Sequence, residues 1–90
     1  MHAEKQVTLK NKEGLHARPA ALLVQAAGQF SSEVQVVKEG FPPANAKSIL
    51  AILSLGVEQG QSVLLRAVGE DAEEAVRCLS ALVEGGLGEG

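Results

Sequence analysis

The chain has 90 residues, of which 46% are hydrophobic, and its 8 Lys and Arg against 11 Asp and Glu give a net charge of −3. That length suits one domain without a deep enclosed active site. The single cysteine, Cys78, excludes an internal disulfide and a cysteine zinc site, so we expect it to be a reduced thiol in the core. The lack of Tyr, Trp and basic runs argues against nucleic-acid binding, which needs aromatic stacking and clustered positive charge.

The N-terminal residues predict a strand and no targeting segment. Residues 1–5 lack an apolar signal region, and the apolar runs are far shorter than a membrane span, so we expect a soluble, cytoplasmic protein without membrane insertion. Residues 6–10 alternate, with Val7 and Leu9 on one face, which predicts a half-buried first strand. We assign no role to His2.

The stretch Gly14-Leu15-His16-Ala17-Arg18-Pro19-Ala20 stands where a polar turn meets an apolar helical pattern. Pro19 suits a first helical turn, because its ring pre-sets φ and the amide hydrogen it lacks would be unpaired there anyway. A helix start offers free N–H groups to an anion, and Arg18 adds a fork of donors suited to phosphate. The residues alone leave two interpretations open: His16 lies beside an anion site, or it caps the helix beside a solvated arginine.

Apolar periodicity and turn signals predict helices over residues 17–29 and 49–55, strands over 33–38, 41–45 and 62–68, and a last helix that ends at residue 84. Pro42-Pro43 lack ladder donors, which confines the third strand to a sheet edge. Ser48 is a good N-cap for the short helix, and Gly56 is a good stop. Asp71 and Glu74 have the form of a capping box. We expect the glycine-rich tail, residues 85–90, to be flexible.

These elements follow one another in the order βαββαβα. Three of the strands have a clear core face, and each long helix carries one apolar stripe. We therefore predict an α+β fold, a two-layer open-faced sandwich with a four-stranded, largely antiparallel sheet, two long helices on one face and one short helix.

Two motifs give the chain a resemblance to a known family. Gly14–Ala20, followed by Asn45-Ala46-Lys47-Ser48-Ile49-Leu50 and then Ser54-Leu55-Gly56, resembles HPr, the histidine-containing phosphocarrier protein of the bacterial sugar phosphotransferase system. The resemblance extends from Gln6 to Glu84. It implies one HPr-like domain over residues 1–84.

The resemblance implies a function and a role for each matching residue. His16 would take a phosphoryl group on Nδ1 from Enzyme I, which is itself phosphorylated by phosphoenolpyruvate. It would then pass the group to an Enzyme IIA domain. Arg18 would stabilise the phosphate, Pro19 would fix the helix start, and Gly14 would let the turn approach closely. The implied protein is a monomeric carrier and not an enzyme, and it needs neither a metal nor a cofactor.

The second motif implies regulation and docking. Ser48 matches the serine that an ATP-dependent HPr kinase/phosphorylase modifies in many low-GC Gram-positive bacteria, where a catabolite-control regulator would be a further partner. Whether or not it is modified, Ser48 would cap its helix. Ile49, Leu50 and Leu53 would form an exposed apolar patch that docks partners, although the sequence is equally compatible with core positions.

Some residues depart from the family pattern. Glu13 stands where relatives often carry a small residue, and a carboxylate there would repel a phosphoryl group or point to solvent. Phe41-Pro42-Pro43 looks one residue longer than usual, and whether the tail approaches Arg18 is open.

Three alternatives remain to be weighed. A paralogue of the nitrogen-related branch fits residues 45–56 less well than a sugar-system member. A non-catalytic regulatory module would lack the active histidine. For a hydrolase there is no nucleophile–base–acid set and no metal-ligand cluster.

Overall fold

The computed structural model, which describes residues 1–88, confirms the predicted fold class and element order. Its elements are β1 (His2–Thr8), α1 (Ala17–Ala27), β2 (Glu33–Val37), β3 (Ala44–Asn45), α2 (Ile49–Ser54), β4 (Ser62–Val68) and α3 (Ala72–Glu84). The strands form one four-stranded sheet in the order β1-β4-β2-β3, and every neighbouring pair is antiparallel. Within residues 1–88 no helix has the length and apolar character that crossing a membrane requires.

The sheet buries one face because apolar and polar residues alternate along its strands. The buried residues of that face are Val7, Val34, Val36, Ala44, Val63, Leu65 and Ala67. Helix α3 packs on β1 and β4, and α1 packs against α3 and α2. Each long helix contributes one buried stripe, as its 3.6-residue period predicts, so helices and sheet share one hydrophobic core.

The loop that follows α2 is tied to the loop that follows β1. The N–H of Leu9 donates to the carbonyl of Gln61 at 2.9 Å, and the N–H of Gly60 donates to the carbonyl of Leu9 at 2.7 Å. The amide of Gln59 adds a third bond, from Nε2 to the carbonyl of Lys10 at 3.0 Å. These bonds hold residues 57–61 beside the turn that leads into α1.

Two strands, β1 and β3, differ from their predicted bounds by more than one residue. β1 begins at His2 and not at residue 6, since its pairing with β4 extends to His2 opposite Val68. The first residues of this edge strand are held by backbone hydrogen bonds to β4. They show little apolar alternation, so the sequence pattern did not predict them. β3 is reduced to Ala44–Asn45, because the prolines at 42 and 43 have no N–H to donate to a ladder.

The predicted capping box at the start of α3 is wrong. The Asp71 side chain makes no capping bond to its own helix. It accepts hydrogen bonds from the N–H groups of Ser31 and Ser32, each at 2.9 Å, and from the Ser32 hydroxyl. These bonds, the Ser32 hydroxyl first among them, lower the pKa of Asp71 from 3.8 to about 2. Asp71 therefore joins the start of α3 to the loop between α1 and β2.

We expect Asp71→Asn to lower the free energy of unfolding at neutral pH and to matter less in acid. The folded-state pKa lies below the ordinary one, so the stabilisation is fully present above about pH 4 and is lost as pH falls toward 2. Urea unfolding of both proteins between pH 7 and 2 measures the difference. Glu70→Gln, which removes the exposed carboxylate one residue earlier, is the control. A wild-type advantage that stays constant down to pH 2 would contradict this prediction.

The C-terminal turn and Cys78 also differ from expectation. Residues 85–88 form a turn, in which the N–H of Leu87 donates to the carbonyl of Leu82 at 3.1 Å and the Leu87 side chain is buried. The other two residues of the predicted flexible tail, 89–90, lie outside the described residues. Cys78 is exposed and is not a core thiol, because its position falls outside the stripe that α3 buries.

Candidate functional site

The turn before α1 is fixed against the loop after α2. The N–H of Leu15 donates to the carbonyl of Val57 at 2.9 Å, and the buried Asn11 donates from Nδ2 to the carbonyl of Gly14 at 2.8 Å. Gly14 has φ +58°, and a Cβ added there would lie 2.2 Å from the Val57 oxygen. Only glycine fits this close approach, which is the property expected of Gly14.

His16 is the N-cap residue of α1, but its side chain makes no capping hydrogen bond. The capping interpretation of His16 is therefore wrong. Its backbone is extended, at φ −117° and ψ 160°, while the next residue, Ala17, has φ +48°. Pro19 is buried in the first turn, as expected for a residue that fixes the helix start. The imidazole keeps 38% of its surface exposed.

The imidazole of His16 contacts the carboxylate of Glu58, with 3.0 Å between Nε2 and Oε2. A carboxylate accepts hydrogen bonds but does not donate them, so the proton of the neutral ring lies on Nε2. The electron pair of the ring is then on Nδ1. Glu58 thus selects the nitrogen that can act as a nucleophile.

Glu58 was missed by sequence reasoning, and no local signal could have found it. It lies 42 residues from His16 in an ordinary polar turn. The sequence directed attention to Glu13 instead, since relatives often carry a small residue there and a carboxylate near His16 would repel a phosphoryl group. In the structure the backbone carbonyl of Glu13 accepts the N–H of His16 at 3.2 Å, and it is the side chain of Glu58 that meets the ring.

Arg18 lies exposed in the first turn of α1. It lines a shallow depression of about 170 Å³ together with Glu13, Pro19, Leu87 and Gly88. The C-terminal turn therefore lies near Arg18, whereas the chain terminus, for which the sequence left this question open, lies outside the described residues. Among residues 1–88 Arg18 forms no ion pair. Its fork of N–H donors at the helix start suits an anion such as phosphate.

Helix α2 turns one face to the core and the other to solvent. Ile52 is fully buried, whereas Ile49, Leu50 and Leu53 are 39%, 74% and 37% exposed. The core alternative for these three residues is therefore wrong. Ser48 is the N-cap, and its Oγ accepts the N–H of Ala51 at 3.3 Å, which confirms its capping role. An apolar patch and a serine hydroxyl thus adjoin at the start of one helix.

Comparison with known proteins identifies the family. The family model described as "PTS HPr component phosphorylation site" matches residues 3–85. The chain is 47% identical over 81 residues to the HPr-like protein Crh of Bacillus subtilis, which covers 90% of this chain and 94% of that protein. It is 42% identical over 87 residues to the phosphocarrier protein HPr of Streptomyces coelicolor, with 97% and 94% covered.

A solved structure extends the match to three dimensions. The HPr dimer of Thermoanaerobacter tengcongensis is 54% identical to the chain and has a TM-score of 0.77, with 92% of this chain and 94% of that one covered. The fold and the turn at His16 define a protein of the phosphocarrier class. The chain belongs to the HPr family of the phosphotransferase system.

Proposed function

We propose that the chain is a phosphocarrier of the sugar phosphotransferase system. His16 accepts a phosphoryl group from phospho-Enzyme I and passes it to an Enzyme IIA domain. The observation that carries the proposal is the half-exposed His16 ring, whose Nε2 lies 3.0 Å from the Glu58 carboxylate. A proton held on Nε2 by that contact leaves the electron pair of Nδ1 for attack on phosphorus. Each transfer forms one nitrogen–phosphorus bond and breaks another, and the displaced electron pair returns to the donor.

The start of α1 supports a negative group on His16. The first N–H groups of this 11-residue helix and the positive end of its dipole favour an anion. Arg18, in the same turn, adds a charge that no ion pair within residues 1–88 neutralises. These interactions hold a phosphate by hydrogen bonds and charge, so the group can leave again.

The openness of the site suits a carrier that meets two partners in the cytoplasm. Both Enzyme I and Enzyme IIA must bring their own reactive group within in-line reach of His16, and a shallow surface allows that. The exposed patch of Ile49, Leu50 and Leu53 offers them an apolar docking surface. The substrate of the chemistry is the carrier itself, so the chain is not an enzyme.

Incubation with phosphoenolpyruvate and Enzyme I tests this function. The chain should gain an acid-labile, base-stable phosphate, as a phosphohistidine does, and should lose it to a sugar-specific Enzyme IIA. Mass measurement follows both steps. No phosphate on the chain would overturn the proposal, and transfer to an Enzyme IIA of the nitrogen branch alone would favour that paralogue.

A regulatory role has one observation in its favour, the 47% identity to Crh, whose solution structure is described as that of the Bacillus subtilis catabolite repression HPr. The two functions separate at His16, because a module that only binds partners has no need of a phosphoryl acceptor. Phosphorylation by Enzyme I therefore decides between them as well.

We propose in addition that an HPr kinase/phosphorylase modifies Ser48. The phosphate would bring about two negative charges to the edge of the apolar patch and would weaken docking of Enzyme I, while a catabolite-control regulator could read the modified surface. Incubation with the kinase and ATP should give an acid-stable phosphate and slower transfer from Enzyme I.

Two variants control this experiment. Ser48→Ala removes both the cap and the acceptor and should cost about 1 kcal/mol of stability, whereas Ser48→Asn keeps a capping side chain and removes only the acceptor. Neither should be labelled. If Ser48→Asn is labelled as wild type is, or if wild type is not labelled, Ser48 is a cap alone.

The monomeric state stays a prediction. One chain supplies both long helices and the sheet that they cover, but the related HPr of Thermoanaerobacter tengcongensis was solved as a dimer. Light scattering on the purified chain, at the concentration of the transfer assay, measures the state that carries out transfer.

A further inference from the structure

We propose that Glu58 is a positioning residue for phosphoryl transfer: it keeps the proton on Nε2 of His16 and stabilises the positive charge that the ring gains when Nδ1 is bonded to phosphorus. The inference rests on the proposed carrier function and adds a residue to its chemistry. It starts from the 3.0 Å contact between Nε2 and the Glu58 carboxylate.

The backbone holds the two residues of this contact close together. The N–H of Leu15 donates a hydrogen bond to the carbonyl of Val57. The backbone of Gly14 lies so close to Val57 and Glu58 that no side chain fits between them. The N–H of Glu58 donates to Oε1 of Gln61 at 2.8 Å, and the N–H of Gln61 donates back to the carbonyl of Glu58 at 3.1 Å. Both the ring and the carboxylate therefore start from fixed main-chain positions.

The chemistry gives this carboxylate a use in both directions of transfer. When the neutral ring attacks, the electron pair of Nδ1 forms the bond to phosphorus, the bond to the donor breaks, and the ring becomes positive while the proton stays on Nε2. The negative charge of Glu58 stabilises that ring. On delivery the bond between Nδ1 and phosphorus breaks, and its electron pair returns to the ring. The ring is then a neutral imidazole, because Nε2 has kept its proton.

The exposure of the His16–Glu58 pair predicts that Glu58 affects the rate of transfer more than the stability of the fold. The side chains of His16 and Glu58 are 38% and 65% exposed, and exposed ion pairs contribute little to folding stability. The loss of Glu58 should therefore appear in the rate of transfer and in the state of the ring, and hardly in unfolding.

Two substitutions separate the two roles of Glu58. Glu58→Gln keeps a carbonyl oxygen that accepts the Nε2 hydrogen but removes the charge, whereas Glu58→Ala removes both. The control is Glu70→Gln, which removes one exposed carboxylate from the loop before α3 and leaves the site untouched.

The first measurement is nitrogen NMR of the unphosphorylated imidazole. Wild type and Glu58→Gln should show the proton on Nε2, and Glu58→Ala should shift toward a mixture of both tautomers. The second is the maximal rate of transfer from phospho-Enzyme I, which should fall about fivefold in both variants, the rate equivalent of the upper end for exposed ion pairs. The apparent KM and the unfolding midpoint should change no more than in Glu70→Gln.

The outcomes distinguish this proposal from the carrier function. If wild type is phosphorylated and both Glu58 variants match it in maximal rate and tautomer, the role of Glu58 is overturned and the carrier function stands. If only KM rises, Glu58 is a docking residue and the proposal fails. If wild type takes no phosphoryl group, the carrier function fails, and the role of Glu58 in transfer fails with it.

Discussion

Replacing His16 with alanine should abolish phosphoryl acceptance from Enzyme I and leave the fold intact. The ring supplies the only attacking atom in the proposed transfer, so we expect the rate to fall by at least about a thousandfold, as for removal of a nucleophile. Stability should change little, because the side chain is exposed by 38%, makes no capping bond and touches Glu58 through a solvent-exposed pair. Mass measurement after incubation with phosphoenolpyruvate and Enzyme I gives the first quantity, and urea unfolding gives the second.

The chain carries a matched control for this experiment. His2 also pairs with a carboxylate, since its Nε2 lies 3.2 Å from Oε2 of Glu4, but it stands in an edge strand and not at a helix start. His2→Ala should be labelled as fully as wild type. Label on His16→Ala, or its loss in His2→Ala, would place the phosphoryl group elsewhere and contradict the assignment of His16.

Gly14→Ala should cause the largest loss of stability among these substitutions, about 3 kcal/mol or more. A side chain at φ +58° is strained, and the new Cβ would lie 2.2 Å from the oxygen of Val57 and 2.9 Å from two backbone atoms of Glu58. Backbone atoms cannot swing aside as a side-chain end can, so the turn must separate from the loop after α2. Urea unfolding followed by circular dichroism measures the cost.

Gly56→Ala separates strain from collision. Gly56 has φ +59°, nearly the same as Gly14, but an added Cβ meets nothing within 4 Å. That variant should lose only the conformational part, about 1 kcal/mol. Equal losses in the two variants would show that the close approach of the two loops is not what requires glycine at position 14.

The sequence predicted the elements whose pattern is local and failed where partners are distant. Strand β4 was predicted with its observed bounds, Ser62–Val68, because Val63, Leu65 and Ala67 place an apolar residue at every second position on the core side. The start of β1 was missed, since its outer residues are held by backbone pairing at an edge. Asp71 looks like a cap to any local rule, and only the fold brings Ser31 and Ser32 to its carboxylate.

The candidate site shows the same division. His16, Arg18 and Pro19 stand in one short motif, so sequence reasoning could single them out. The environment of His16 could not be predicted, because Glu58 reaches it through two loops that meet only after folding. Which residues of α2 face outward also depends on how that helix packs against α1, and a six-residue helix carries too short a pattern to decide it.

The exposure of the His16 ring should shorten the lifetime of a phosphoryl group bound to it. A surface open enough for a partner to reach Nδ1 is open to water as well, and among residues 1–88 no segment closes over the ring enough to reduce its exposure below 38%. In the proposed carrier, a phosphoryl group on His16 would escape hydrolysis only if it were transferred quickly to the next protein. The phosphorylated form of such a carrier would be short-lived. Its concentration would follow the current rates of phosphorylation by Enzyme I and of transfer to Enzyme IIA.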